Sequence, residues 1–104
     1  MLFDANRGLL IINEKKRKSI LVDNICYLQS NINYTAIYLK SKKMIYVPFS
    51  LMKIDRLICS QGFVRIHQSF LVNQDTIAAI TPKEVHLIDN TILPVSRRHK
   101  KNLS

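Results

Sequence analysis

Short apolar segments separated by polar turns run through most of the chain. In residues 34–40, YTAIYLK, the side chains of Thr35, Ile37 and Leu39 alternate with those of Tyr34 and its even-numbered neighbours. Because successive side chains of an extended chain point to opposite faces, this period of two predicts a strand with two distinct faces. The close spacing of such segments is typical of a β-rich domain.

Further strands are predicted where apolar runs are bounded by turn residues. The predicted strands are residues 8–13, 18–22, 25–30, 34–40, 44–47, 84–88 and 91–95. The segments on either side of the charged turns 14–17 and 41–43 are expected to pair as hairpins. The last two segments are expected to pair across a two-residue turn formed by Asp89 and Asn90.

One segment has helical periodicity. From Leu51 to Ile58 the apolar residues recur at spacings of three and four, which places them on one face of a helix. Ser50 suits the N-cap, and Gly62 suits the exit. We therefore expect a mainly β protein with one longer helix, at about residues 50–60, and a short second helix in residues 96–103.

Length and charge narrow the class of protein. The chain has 104 residues, of which 47% are apolar, so one folded domain over residues 1–104 is expected. The 16 Lys and Arg exceed the 7 Asp and Glu, and the net charge of +9 attracts polyanions such as nucleic acid or an anionic membrane surface. Neither a membrane-spanning run nor a signal sequence is visible, which predicts a cytoplasmic protein without a membrane partner.

The residue types that perform catalysis or bind metals form no recognisable motif. Cys26 and Cys59 lie far apart in apolar runs, so both are expected to be reduced core residues, and no zinc-site spacing is present. His67 and Ser69 are two residues apart, a spacing too common to indicate a nucleophile and its base. The sequence predicts no catalytic residue, no metal and no cofactor, although a ribonuclease built on histidine and lysine stays open at this stage.

Basic and amide side chains that suit nucleic acid occur in three clusters. They are residues 30–34 (SNINY), 65–69 (RIHQS) and 96–101 (SRRHKK). Asparagine and glutamine amides pair with adenine, arginine pairs with guanine, and basic side chains contact phosphates. Taken singly, each cluster has a plainer explanation as turn residues, a solvated strand face or cations at a helix end.

Two longer motifs resemble one known family. Residues 63–73, FVRIHQSFLVN, and residues 93–97, LPVSR, are similar to the LytTR-type DNA-binding domain. The family signature is close to F-x-R-x-H-x-S-[FY]-x-V-N, followed by a hairpin that ends in L-P-V-S-R. Residues 23–29 (DNICYLQ) and 48–51 (PFSL) extend the resemblance over roughly residues 8–103.

The resemblance implies a fold and a mode of binding. The fold is an elongated, mostly antiparallel β structure of several small sheets, and the function is sequence-specific binding of duplex DNA for transcriptional regulation. Family members insert loops into two successive major grooves and usually form the output half of a bacterial response regulator. We therefore expect double-stranded DNA as the partner, direct-repeat sites, a dimer on DNA and a receiver domain in the full-length protein. The chain is then either an excised domain or a freestanding regulator.

The resemblance also implies which residues contact DNA. The family's base-contacting positions correspond to Asn33, Gln68 and Arg97, with Asn31 and Tyr34 as alternatives in the first loop. Gln68 departs from the arginine or asparagine common in the family, but its amide still suits adenine. The residues expected to contact phosphates or to support the loops are Asn31, Tyr34, Arg65, His67, Ser69, Arg98, Lys100 and Lys101.

Two alternatives remain at this stage. His67 is equally well explained as a half-buried residue that donates a hydrogen bond to fix its loop. The whole chain is also compatible with a small basic RNA-binding protein without enzymatic activity, in which aromatic rings stack on bases. The candidate rings are Tyr27, Tyr34, Tyr38 and Phe70, although packing between strands is their simpler explanation.

Overall fold

Antiparallel strands make up much of residues 1–103, the part of the chain that the computed structural model describes. The strands are β1 (Leu2–Asp4), β2 (Leu9–Asn13), β3 (Lys18–Leu21), β4 (Ile25–Asn31), β5 (Tyr34–Leu39), β6 (Met44–Val47), β7 (Phe63–His67), β8 (Phe70–Asn73), β9 (Ile77–Ile80), β10 (Glu84–Leu87) and β11 (Ile92–Pro94). Every predicted strand is confirmed, while β1 and β7 to β9 lie outside the predicted segments. The mainly β fold class is therefore confirmed.

A five-stranded central sheet separates two hydrophobic cores. Its order is β6-β5-β4-β8-β7, and the sheets β1-β2-β3 and β11-β10-β9 contribute to opposite faces. Leu28 and Leu71 pack with the first small sheet and the helix, whereas Ile66 and Val72 pack with the second small sheet. Both faces of the central sheet therefore pack against other elements, and the turns at its ends carry exposed side chains.

The molecule is elongated, as the resemblance implied. Its principal extents are 43 × 24 × 23 Å. Within residues 1–103, no helix has the length and apolar character that crossing a bilayer requires.

The predicted helix begins where its cap was expected. The helix α1 spans Leu51–Ile58, and the Ser50 hydroxyl accepts a hydrogen bond from the Lys53 amide at 3.1 Å. A 3-10 turn, Cys59–Gln61, continues it to Gly62, whose φ of 86° ends the segment. The C-terminal segment, Arg97–Leu103, is also helical but of the 3-10 type.

The turn between β10 and β11 differs from its prediction. The Asn90 amide donates to the Leu87 carbonyl, and the Leu87 amide donates to the Thr91 carbonyl, so three residues rather than two form the loop. Asn90 has a φ of 74°, which asparagine tolerates well, and the Asp89 carboxylate accepts from the Thr91 amide. The prediction of a two-residue turn is therefore wrong.

The two cysteines occupy different environments. Cys26 is buried in the core beneath β9 to β11, and burial raises the pKa of its thiol. Cys59 is exposed at the end of α1, in the 3-10 turn that leads to β7. Both are free thiols, but the expectation that both lie in the core is wrong for Cys59.

Candidate nucleic-acid interface

The three sequence clusters meet at one end of the central sheet. The Ser30 amide donates to the Ser69 carbonyl at 2.9 Å, which joins the β4–β5 turn to the β7–β8 turn. The Ser96 amide donates to the Ile66 carbonyl at 2.9 Å, which places the C-terminal segment beside β7. We call this surface, formed by residues 31–34, 67–69 and 96–101, the loop end.

The β4–β5 hairpin forms the first part of the loop end. Asn31 pairs with Tyr34 in the ladder, which leaves Ile32 and Asn33 at the tip. The side chains of all four residues are exposed. The Tyr34 ring meets the Tyr46 ring edge-on at 6.4 Å, so it is partly engaged within the protein, whereas the two asparagine amides face solvent.

The β7–β8 turn is held in place by Arg65. Its guanidinium donates through Nε to the His67 carbonyl at 2.9 Å and through Nη2 to the Gln68 carbonyl. Its Nη1 lies 3.2 Å from Oδ2 of Asp55 on α1. Bonds to two successive carbonyls and to a helix carboxylate fix the backbone of the turn, while the Gln68 side chain stays exposed.

His67 also stabilises the β7–β8 turn. Its Nδ1 accepts a hydrogen bond from the Ser69 amide at 3.0 Å, and its ring meets Phe70 edge-on at 5.6 Å. The ring is half-buried, as expected if His67 fixes its loop. The expected hydrogen bond has the opposite direction, because the imidazole accepts it from the loop instead of donating it. Acceptance at Nδ1 places the proton of the neutral ring on Nε2.

The C-terminal segment is fastened to the outer edge of β7. The Asn102 side-chain amide donates to the Arg65 carbonyl at 2.8 Å, and Leu103 packs against the second core. These anchors at the far end of the segment, together with Ser96 at its start, hold four basic side chains exposed between them. Those side chains are Arg97, Arg98, Lys100 and Lys101.

His99 lies on the inner side of this segment. Its Nδ1 is 2.6 Å from the Ser96 hydroxyl, and its backbone amide donates to the same hydroxyl at 3.3 Å. Partial burial lowers the pKa of His99, and the positive charges of Arg65, Arg98 and Lys101 lower it further. Both effects favour the neutral form of the His99 imidazole in the free protein.

Positive charge is concentrated at the loop end, where Arg97, Arg98, Lys100 and Lys101 are exposed. Asp55 contacts this end from α1, but its carboxylate is already paired with Arg65. The three turns contain no aspartate or glutamate. A surface that combines exposed cations with exposed amides has the two properties that DNA recognition needs, attraction to phosphates and hydrogen bonding to bases.

The structure shows how Arg65 is held at the loop end and which other residues contact it. The Arg65 guanidinium is engaged with two backbone carbonyls and the Asp55 carboxylate, so it holds the turn in place. Asp55 and Asn102 act with it, although nothing in the sequence links either residue to the motif. At the tip of the β4–β5 hairpin, Ile32 is an exposed apolar residue between two asparagines, a pattern already visible in the sequence.

Three of the four aromatic rings considered for RNA binding are packed within the protein, and Tyr34 is the exposed one. Tyr27 stacks on Tyr38 with ring centroids 4.4 Å apart, and Phe70 lies against both Tyr27 and His67. Burial raises the pKa of Tyr27 to about 12. These contacts favour the strand-packing explanation of the rings. Among residues 1–103, no group of three or more His, Cys, Asp or Glu is placed to bind a metal ion.

Comparison with known proteins identifies a family and similar solved structures. A sequence model of the LytTR family, described as the LytTr DNA-binding domain, matches residues 15–104. A solved LytTr DNA-binding domain of a methyl-accepting/DNA response regulator from Bacillus cereus superposes with a TM-score of 0.76 at 20% identity, covering 91% of this chain and 92% of that chain. The search of curated proteins returned no match.

Proposed function

The chain belongs to the LytTR family of DNA-binding domains, which bind DNA for transcription regulation, and from this we propose that it recognises a particular duplex sequence through its loop end. The observation that carries the proposal is the convergence of three distant segments. The Ser30–Ser69 and Ser96–Ile66 backbone bonds bring the exposed amides and basic side chains onto one surface. The domain acts by binding alone, without catalysis.

We assign the base contacts to Asn33, Gln68 and Arg97. Asn33 lies at the tip of the β4–β5 hairpin, and Gln68 lies on a turn whose backbone is fixed by Arg65. Their amides suit adenine, and the Arg97 guanidinium suits the O6 and N7 acceptors of guanine. Asn31 and Tyr34 are the alternatives to Asn33 in the same hairpin.

The remaining loop-end residues position the domain on DNA. Exposed Arg98, Lys100 and Lys101 are assigned to phosphates, which set the register without reading sequence. Ser69 and His67 support the Gln68 turn through the Ser69 amide bond to the imidazole. His99 holds the first turn of the C-terminal segment through Ser96.

The proposed arrangement on DNA has two levels. Within one copy, the β4–β5 hairpin and the C-terminal segment insert into successive major grooves on the same side of the duplex. Two copies then occupy direct repeats as a dimer on DNA. In the full-length protein, a receiver domain controls this occupancy.

Selection from a random duplex-DNA library at about 0.15 M salt tests the proposal. We expect enrichment of a short motif, repeated at about one helical turn. Uniform, salt-sensitive retention without enrichment would contradict sequence recognition and leave the charge of +9 as the cause of binding. Hydroxyl-radical footprinting of one copy on the selected site then tests the grooves, because a single protected patch would limit reading to one groove.

A further inference from the structure

The tip of the β4–β5 hairpin carries an apolar side chain that the protein itself does not use. Ile32 is 98% exposed, more than any other large hydrophobic residue described as exposed in residues 1–103. It belongs to neither hydrophobic core. Its side chain therefore contributes almost no burial to folding and is available for contact with a partner outside the chain.

The backbone at Ile32 is also unfavourable for this residue type. Its φ is 25°, in the positive region where a β-branched side chain is strained. Glycine or asparagine adopts positive φ at lower cost, as Asn90 does at 74° in the β10–β11 turn. Residues that break a local rule of this kind concentrate at functional sites.

The neighbours of Ile32 indicate the chemistry of the partner. It lies between Asn31 and Asn33, and the Ser30–Ser69 backbone bond places the Gln68 turn beside the hairpin. Asparagine and glutamine amides pair with the N6 and N7 groups of adenine in the major groove. The thymine opposite each adenine presents its C5-methyl group in the same groove, and an apolar side chain is what recognises that methyl group.

We propose that Ile32 is a specificity-determining residue that contacts the C5-methyl group of a thymine in the bound DNA. The inference rests on the proposed function, because it requires the β4–β5 hairpin to enter the major groove. It adds a recognition element that hydrogen bonds do not supply, since uracil and thymine present the same acceptor and differ by this methyl group.

The test replaces thymines of the selected site with uracil, one at a time, and measures the Kd of wild type and of Ile32→Ala. Burial of one methyl-sized group corresponds to about fourfold in affinity. For the wild type we expect one uracil position to weaken binding about fourfold. Ile32→Ala should weaken binding to the thymine site by a similar factor and lose nothing more at that uracil position.

Two further variants separate a DNA contact from an effect on folding. Ile88→Ala is the matched control, because Ile88 is 69% exposed on the β10–β11 turn at the other end of the central sheet. It should leave both affinities unchanged. Ile32→Gly removes the side chain and relieves the positive φ, so it should lose thymine discrimination while its unfolding temperature stays equal or rises.

The outcomes distinguish this inference from the proposed function. Equal losses for Ile32→Ala on thymine and uracil sites, or discrimination that survives the substitution, would overturn the methyl contact while specific binding stands. Absence of any enriched sequence, together with no effect of Gln68→Ala or Arg97→Ala, would overturn the proposed function itself.

Discussion

The two ends of the central sheet are both rich in lysine and arginine, yet they differ in what surrounds those charges. At the end opposite the loop end, which we call the closed end, the turns are residues 40–43, 74–76 and 88–90. Lys40, Asp75 and Asp89 line one cavity there. Hydrogen bonds from Thr91, and more weakly the charge of Lys42, lower the pKa of Asp89. At the loop end, Asp55 is paired with Arg65, and the turn residues that carry the outer cations include no acid.

The two ends of the central sheet also differ in how well the residues of their turns suit the backbone conformation. The closed end uses Asp89 and Asn90, whose side chains and backbone suit the turn they form. The loop end places Ile32 at positive φ and holds the Gln68 turn with an arginine that makes three hydrogen bonds. The number of cations therefore does not identify the binding surface. The two ends differ instead in their exposed amides and in a strained, exposed apolar residue, and on these grounds we propose the loop end as the binding surface.

Asn73→Ala should have the largest effect, on stability at the closed end. The buried Asn73 amide donates to the Ile25 carbonyl at 2.9 Å, and its oxygen accepts from the Asp75 amide at 3.0 Å. Removing both bonds leaves buried backbone groups unpaired, so we expect a loss of about 3 kcal/mol in the free energy of unfolding. Urea unfolding measures it. The folded variant should bind DNA with wild-type affinity, and weakened binding by folded protein would contradict the separation of the two ends.

Arg97→Ala should have the largest effect on DNA binding. Loss of a paired contact to guanine should cost about 1–3 kcal/mol at the selected site and relax preference at one base pair. Titration of the selected site and of its single-base variants measures both effects. Arg56→Ala, an exposed arginine in the last turn of α1, is the matched control and should bind as the wild type does. Equal loss on every sequence would instead make Arg97 a phosphate contact.

Asp55→Asn tests whether the bracing of the Gln68 turn matters. The substitution weakens the pair with Arg65, an interaction worth about 0.5–1 kcal/mol, so specific binding should weaken by a few-fold. If only the charge of Asp55 mattered, the substitution would instead tighten DNA binding, because removing an acid strengthens attraction to phosphate. The ratio of specific to non-specific Kd measures the effect. Tighter specific binding would show that Asp55 acts only through its charge.

Lys100→Ala should change the salt dependence of binding rather than its sequence preference. Removing one cation from a phosphate reduces the slope of log K against log salt by about one unit on duplex DNA. Lys43→Ala removes an equal charge from the closed end and should leave that slope unchanged. Affinity measured between about 0.05 and 0.2 M salt compares them. Equal slope changes in both variants would show that overall charge, and not the loop end, determines phosphate binding.

The smallest expected effect is a pH dependence that originates at His99. Its pKa is lowered from the usual 6.5 in the folded protein, so the unfolded chain takes up the proton first as the pH falls. The stability linked to His99 is complete above pH 6.5 and is lost as the pH drops below 6.5 through the folded-state pKa. His99→Gln should reduce that loss in unfolding experiments carried out across this pH range. Identical pH profiles for wild type and His99→Gln would exclude this origin.

Local sequence information was sufficient for most elements of the fold. Alternation in residues 34–40 predicted β5, and the spacing of apolar residues after Ser50 predicted α1 with its cap. These signals are local, because side-chain direction repeats every two residues in a strand and every 3.6 in a helix. The Asp89–Asn90 turn was misjudged by one residue, since asparagine chemistry suits both turn lengths.

The contacts of individual residues at the loop end were harder to predict from the sequence. The motif identified Arg65, His67 and Gln68 together, but it did not show that Arg65 holds the backbone of the other two. The two residues that contact Arg65 from other elements are distant in sequence: Asp55 is ten residues from Arg65, and Asn102 is 37 residues from it. Neither pairing leaves a local pattern, because each depends on how α1 and the C-terminal segment pack against β7.

The amino-acid sequence by itself determined seven of the eleven strands in residues 1–103, the helix α1, the excess of basic residues and the family to which the chain belongs. Only the tertiary structure decided that residues 31–34, 67–69 and 96–101 form one surface, through backbone bonds at Ser30 and Ser96. It also decided that Arg65 supports the turn and that Ile32 is left exposed at a strained tip. The physical reason is range: periodicity and turn preference act between near neighbours, whereas charge balance and exposure depend on segments that folding brings together.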